Sequence, residues 1–341
     1  MKKILLLLIV IIITGIIGAG IGYSYFFSDN INASAPVHVY IPTGSGYSDV
    51  LSILKENKML KNYSSFELLA SKMNLTKKVY PGHYVFKPKM NNKDIIRMLR
   101  GGLQTPVKVT FNNVRTKSDL AGKISRCLEI DSVSFYNMLY DNSFLSKNGL
   151  DTNNVLCLFI PNTYEMYWNT SQKKLMERVI KEYKTFWTDE RKSKAQAQGL
   201  TQMQVSILAS IVQAEQLSRP SERPIIAGLY LNRLHKGMLL ESDPTLIYAT
   251  GDFTIKRVLN IHKEIMSPYN TYKNVGLPPG PINLPDISSL NAVLNPNKNE
   301  YIFMCAKEDM SGYHNFAVDY NQHLKNAALY TAALNKMKIY K

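Results

Sequence analysis

Residues 4–27, ILLLLIVIIITGIIGAGIGYSYFF, carry no charged side chain. Backbone amides in hydrocarbon must be satisfied within their own segment, so a run of this kind has one solution, a helix. At about 1.5 Å per residue it is long enough for a hydrocarbon core of about 30 Å. A cleaved export signal has an apolar stretch of only about 7–15 residues. NASA, ending at Ala35, has the small residues of a cleavage site, but Pro36 follows and disfavours processing. The run is therefore expected to remain as an anchor at the cytoplasmic membrane. Lys2 and Lys3 stay inside and the rest of the chain lies outside. Deleting residues 1–30 is expected to free a soluble, still catalytic domain.

The chain beyond the anchor has room for two or three small domains. The 341 residues are 45% hydrophobic with a formal net charge of +15. Such an excess suits polyanionic neighbours such as acidic lipid headgroups or carboxylate-rich wall polymer. No nucleic-acid motif or tight Lys/Arg cluster is present, so nucleic acid is not expected as a partner. Cys127, Cys157 and Cys305 form no CxxC and are expected as buried or half-buried thiols, with Cys127 and Cys157 able to pair only in an oxidising compartment. The six histidines include no HExxH, so metal chemistry is not expected.

Residues 28–36 read as a polar linker. Three strand–turn–helix patterns come next, with helices opening near Ser48-Asp49, Asp94 and Asp119. In each, the Asp or a neighbouring Ser, Asn or Thr can accept the orphan amides of the first turn. A further short helix over 64–73 gives strand, helix, helix, strand across 37–87. Irregular spacing of the three units argues for small α+β modules and against a solenoid. Residues 105–200 read as a mixed strand and helical intermediate region, with one helix from Ser171 to about Lys192. Residues 201–341 hold two good helices, then loops dense in Pro, Gly and Asn (SDPT, SPYNTY, GLPPGPINLP), and a closing helix over about 319–338. Rigid surface loops of this composition commonly shape a site.

The most informative helix runs from a Thr201 cap to about Gln216. Glu215 falls seven, four and three residues after Leu208, Ile211 and Val212, which puts a carboxylate on the apolar face. Burial disfavours the charged form and raises the pKa, so such a group can hold a proton near neutral pH and donate it to a leaving oxygen. The alternative is a glutamate at the stripe's edge paired with Arg219 or Arg223, and the pattern alone leaves both open.

The segment LASIVQAEQLSRPSERPIIAGLYLNRLHKGMLLESDPTLIYATG resembles the YceG-like family of endolytic murein transglycosylases (MltG). So do YNTYKNVGLPPGPI, NPNKNEYIFMCA and GYHNF, with the anchor and FIPNTYEMY in the same order. The resemblance covers nearly the whole chain. It implies an α+β fold with a LysM-like module over 37–104 and a catalytic domain over 201–341. It also implies Glu215 as the catalytic acid, acting on the glycosidic bond between N-acetylmuramic acid and N-acetylglucosamine of nascent glycan strands. In the implied chemistry Glu215 protonates the bridging oxygen, then accepts the proton of the muramyl C6 hydroxyl as it attacks its own anomeric carbon, leaving a 1,6-anhydro end with no cofactor needed. Cell-wall synthases (penicillin-binding proteins) are the implied partners. The sequence departs from the family at Gln213, often a glutamate there, and at Asn283, which is not expected as a ligand.

A second helix is expected over about 222–236, capped by Ser221 and ended by Gly237. Its Ile226, Tyr230 and Leu234 form one face, and Glu222 and Arg223 are expected to be structural. ESDPTLIY opens another helix with Ser242 or Asp243 as cap. Beside the implied cleft, Ser242, Asp243 and Thr245 are candidates for sugar binding through free helix amides. Asn270 and Tyr272 are candidates for bonding N-acetyl groups, and His314 is a weaker one. Competing readings are a muramidase on the same fold, with Glu222, Glu241 or Asp243 as the second carboxylate, and a non-catalytic glycan-binding scaffold for synthases. The SxxK matches at Ser52 and Ser171 and the SDN at 28–30 lack a KTG and read as chance.

Overall fold

A computed structural model describes residues 2–112 and 114–337. Its contacts divide the chain into two units: residues 1–109 with 125–130 and 164–171, and residues 110–124 with 131–163 and 172–341. The stretch expected as an intermediate region contributes to both.

The first unit begins with α1 (Lys2–Phe27). Over Leu8–Phe27 it is apolar enough to cross a membrane, and none of that window is buried. Then come β1 (Val37–Ile41), α2 (Tyr47–Glu56), α3 (Tyr63–Lys72), β2 (Gly82–Phe86) and α4 (Asn92–Gly101). β1 and β2 pair antiparallel from Val37↔Phe86 to Ile41↔Gly82. Alternation sends Val39 and Ile41 inward with Tyr84 and Phe86, onto Ile95, Ile96 and Leu99 of α4. Asn62 caps α3 and Asn91 caps α4, each accepting the amide three residues on. Asp49 sits in the first turn of its helix and takes the Gly46 amide instead of capping. β3 (Val107–Thr110) follows.

Residues 28–36 depart from the expected linker. Asp29 and Ile31 bridge Asn91 and Leu60, and Ile31 is 1% exposed. The Asn30 amide donates to Asn62 O and Asn92 Oδ1, and its Oδ1 accepts the Asn62 amide. A deletion through residue 30 therefore removes part of this unit's interior.

The second unit carries α5 (Lys117–Cys127), α6 (Ser132–Met138), α7 (Asn142–Lys147), β4 (Thr163–Met166), α8 (Gln172–Phe186) and α9 (Asp189–Ala197). β4 pairs with β3, and both α5 and β4 lie partly in the first unit. The single helix expected from Ser171 is two, because Trp187 is buried at the break and Thr188 caps α9. Next are α10 (Gln202–Glu215), α11 (Arg223–His235), α12 (Asp243–Thr250), α13 (Asn260–Lys263), α14 (Ile287–Leu294), β5 (Phe303–Ala306), β6 (His314–Ala317) and α15 (Tyr320–Lys336). Position 338, expected in the last helix, lies outside the described residues.

α10 is the centre of this unit. Thr201 and Gln204 close a reciprocal capping box at its start. Val205, Leu208, Ile211 and Val212 are buried against α11 and α14. α11 does not begin at a Ser221 cap. A 3-10 turn over Pro220–Glu222 leads into it, and no side chain caps its first amides. Gly228 faces the chain at Asn297, where a Cβ would collide with the carbonyl, so this close crossing requires glycine. Cys127, Cys157 and Cys305 are free thiols, and burial pushes Cys157 up to about 12.

Candidate active site

α10 stops at Glu215 because the next side chain replaces the helix's own bonds. Gln216 is 2% exposed, and its amide donates to Glu222 Oε2 and Gly312 O. Its Oε1 accepts from Ser218 Oγ and the Arg219 amide. Glu215 is thereby left as the final helical residue, partly buried, with its carboxyl facing a cavity of about 490 Å³. Tyr230, Arg233, Asp243, Tyr272 and His314 also line it.

Two hydroxyls converge on one oxygen. Tyr230 donates to Glu215 Oε1 at 2.8 Å and Ser242 donates to the same atom at 2.5 Å. Each oxygen of a carboxylic acid accepts or donates independently, so this arrangement reserves Oε1 as acceptor and leaves Oε2 to carry the proton. Burial raises the Glu215 carboxyl above its ordinary range, the Ser242 and Tyr230 bonds oppose this, and the Asp243 charge adds to it. Burial, then the Glu215 charge, push the Tyr230 hydroxyl well above its usual value, so it stays a donor at neutral pH. The arginines that would have made Glu215 a surface ion pair are engaged elsewhere. Arg223 reaches Gln216 O, Asp286 and Ser288, and Arg219 reaches Ser311 O.

Ser242 occupies the cap position of α12 without capping it. Its hydroxyl goes to Glu215 instead, and its backbone is fixed from behind. Its amide donates to Thr271 Oγ1, and its carbonyl accepts from Thr245 Oγ1. Arg233, 6% exposed, holds the preceding loop through Leu239 O, Leu240 O and the Glu241 carboxylate. Glu241 there has φ 52, an uncommon conformation for a side chain of its size.

The residues expected around Glu215 fall into three groups. Asp243, Tyr272 and His314 line the cavity with it. Tyr272 donates to Asp243 Oδ1 at 2.6 Å, and burial followed by that bond raises its hydroxyl pKa. His314 is held by the buried Glu222, whose two oxygens face the His314 amide and Nδ1 at 2.9 and 2.7 Å. Ser242 is fully buried beneath Glu215 and open to no sugar. Thr245 and Asn270 are corrections, since both are fully buried. Thr245 is spent on Ser242 and Thr271, while Asn270 donates to Lys263 O and Ile265 O and accepts the Tyr272 amide. Both hold the wall instead of facing the cleft. Tyr230 and Arg233 are additions that the sequence pattern does not supply. The one signal for Tyr230 is that a tyrosine on a buried face must find a partner for its hydroxyl.

A second cavity, of about 550 Å³, adjoins the same helix end. Ala214, Leu217, Pro244, Tyr248 and Phe253 line it together with the polar Gln213 and Asn283, and Arg115 lies 5.0 Å from the Phe253 ring centroid. Asp119 on its border is spent on the Arg115 and Thr116 amides. The larger cavity therefore offers contact area and a cation, and the smaller one holds the Glu215 carboxyl.

A carboxyl whose pKa burial raises, braced on one oxygen and facing a cavity, sits here on a mixed helix-and-strand scaffold. A profile of the YceG-like family matches residues 39–329, and the chain belongs to that family. The endolytic murein transglycosylase of Bacillus subtilis is 28% identical over 321 residues, covering 89% of this chain and 88% of the relative. The Streptococcus pneumoniae protein of the same name is 24% identical, covering 91% of this chain and 62% of its own length. A crystal structure of a YceG-like protein from Listeria monocytogenes superimposes with a TM-score of 0.59 at 27% identity, covering 86% of this chain and 99% of that one.

Proposed function

We propose that this protein is an endolytic lytic transglycosylase that cuts peptidoglycan glycan strands, with Glu215 as acid and then base. The observation that carries the reading is the convergence of Tyr230 and Ser242 on Glu215 Oε1. As Oε2 gives its proton to the oxygen between N-acetylmuramic acid and N-acetylglucosamine, the negative charge left on the carboxylate is met by two donors already in place. The same carboxylate then takes the proton of the muramyl C6 hydroxyl as that oxygen closes on the anomeric carbon. A 1,6-anhydro end results without water. Asp243 and Tyr272 form one wall for the sugar, and His314, oriented by Glu222, forms another.

Asp243 gives a second reading some footing. It is exposed in the cavity that holds Glu215, where a hydrolase would need its second carboxylate. Mass analysis of glycan fragments decides between them. Anhydro ends, lighter by one water than hydrolysed ends and lost in Glu215→Gln, support the transglycosylase. Hydrolysed ends support the muramidase, and unchanged cleavage by Glu215→Gln removes both.

The wider reading is of a single-pass protein of the cytoplasmic membrane with its N-terminus inside and residues 201–341 as catalytic domain outside. The strand–helix–helix–strand order of residues 37–86 supports a LysM-like role for that module in holding glycan. Work on nascent strands beside the membrane favours cell-wall synthases as partners.

A further inference from the structure

The exit of α1 is built into the first unit instead of trailing from it. The Ser28 amide closes the last turn on Ser24 O, and Phe26 packs on the unit's core. Backbone bonds then run from Asn30 to Met90 O, from Lys61 to Asn30 O and from Asn32 to Met59 O. α1 packs against α3 and α4. Both of those helices start here, at caps Asn62 and Asn91, and run away together, since Arg100 donates to Met73 O where they end. Ten residues of helix separate the two ends by about 15 Å. The module therefore has a near end, at the exit of α1, and a far end.

Lys58, Lys61, Lys87, Lys89 and Lys93 are exposed at the near end. The Lys93 ammonium lies 5.9 Å from the Phe27 ring centroid. Lys58 and Lys89 hold φ of 49° and 67°, turn positions that glycine or asparagine would fill with less strain. Asp29, Glu56 and Asp94 share this end, and among the described residues no ion pair engages these five lysines. Tyr23 and Tyr25 are exposed on the last turns of α1 and mark the level of the membrane interface. From Tyr23 to Phe27 the helix rises about 6 Å, within a Debye length of about 8 Å at physiological salt.

We propose that the near end of this module is a docking surface for anionic phospholipid headgroups in the leaflet from which α1 emerges, with these five lysines as its contacts. It rests on the reading of α1 as a membrane anchor. The full chain in lipid nanodiscs tests it. Discs of phosphatidylcholine alone are compared with equal parts phosphatidylcholine and phosphatidylglycerol, using brief amine acylation read lysine by lysine in a mass spectrometer. Phosphatidylglycerol should lower labelling of Lys58, Lys61, Lys87, Lys89 and Lys93 about fivefold, reversibly with salt, in keeping with the attraction of a lysine to an anionic leaflet. Lys72, Lys77 and Lys78, at the far end, should be labelled equally in both discs. Insertion without that difference, or equal protection of both ends, overturns the docking surface and leaves the anchor intact. A chain that never enters the discs removes the anchor reading and the proposal with it.

Discussion

Ser242→Ala removes one of the two donors to Glu215 while changing little else. The hydroxyl caps nothing in α12 and donates to Glu215 Oε1 at 2.5 Å, beside the Tyr230 hydroxyl. Hydrogen bonds to charged partners contribute about 1.5–3 kcal/mol. That support matters most when Glu215 becomes a carboxylate, so the loss falls on the chemical step. At about 1.4 kcal/mol per factor of ten, kcat is expected to drop about ten- to a hundredfold. The pH profile carries a second signature. The lost bond favoured the charged form, so its removal raises the Glu215 pKa further and moves the alkaline limb of kcat/KM to higher pH. Release of fragments from uncrosslinked glycan, followed across pH, measures both. Tyr230→Phe should act in the same direction, and the double variant should lose less than the product of the two, because both donors serve one oxygen. A wild-type kcat in Ser242→Ala, or an alkaline limb displaced to lower pH, would refute the role given to this hydroxyl.

Glu215→Gln should also stabilise the fold. Because the folded-state pKa is raised, the stability associated with the protonated acid is full below the unfolded value and is lost as pH rises through the folded one. The gain in Tm should therefore be near zero in acid and grow toward neutral pH; a constant gain would argue against a buried acid. A chain beginning at Ser28 should be more stable than one beginning at Val37, by the about 1.5–3 kcal/mol of burying Ile31 and the bonds of Asn30. Equal denaturant midpoints would return residues 28–36 to the role of linker. Asn270→Ala should lower stability by about 1–3 kcal/mol by stranding the Lys263 and Ile265 carbonyls, with KM for glycan unchanged. A raised KM at unchanged Tm would instead make it a sugar ligand.

The helix that carries Glu215 is legible in the sequence because two signals coincide there: an apolar stripe and a capping residue at Thr201. The first strand of the small sheet is legible through the alternation of Val39 and Ile41, while its pairing is not. Loops are harder. Asn270 and Thr245 resemble ligands because polar side chains in rigid loops serve either a sugar or the loop's own backbone, and spacing does not distinguish the two. Tyr230 reads as packing because its position is an apolar one, and only the three-dimensional partner reveals its hydroxyl's use. Ile31 stands alone among polar neighbours, and a single residue has no period to betray that it is buried. At Trp187-Thr188 the periodic and basic pattern continues through a break that only burial of the indole explains.

The welded exit of α1 has a mechanical consequence. A transmembrane helix answers a bilayer thinner than itself by tilting. Asn30 and Ile31, locked into the module's interior, tie the helix exit to that unit. On the anchor reading proposed above, the first unit leans as the helix leans, so bilayer thickness sets its attitude.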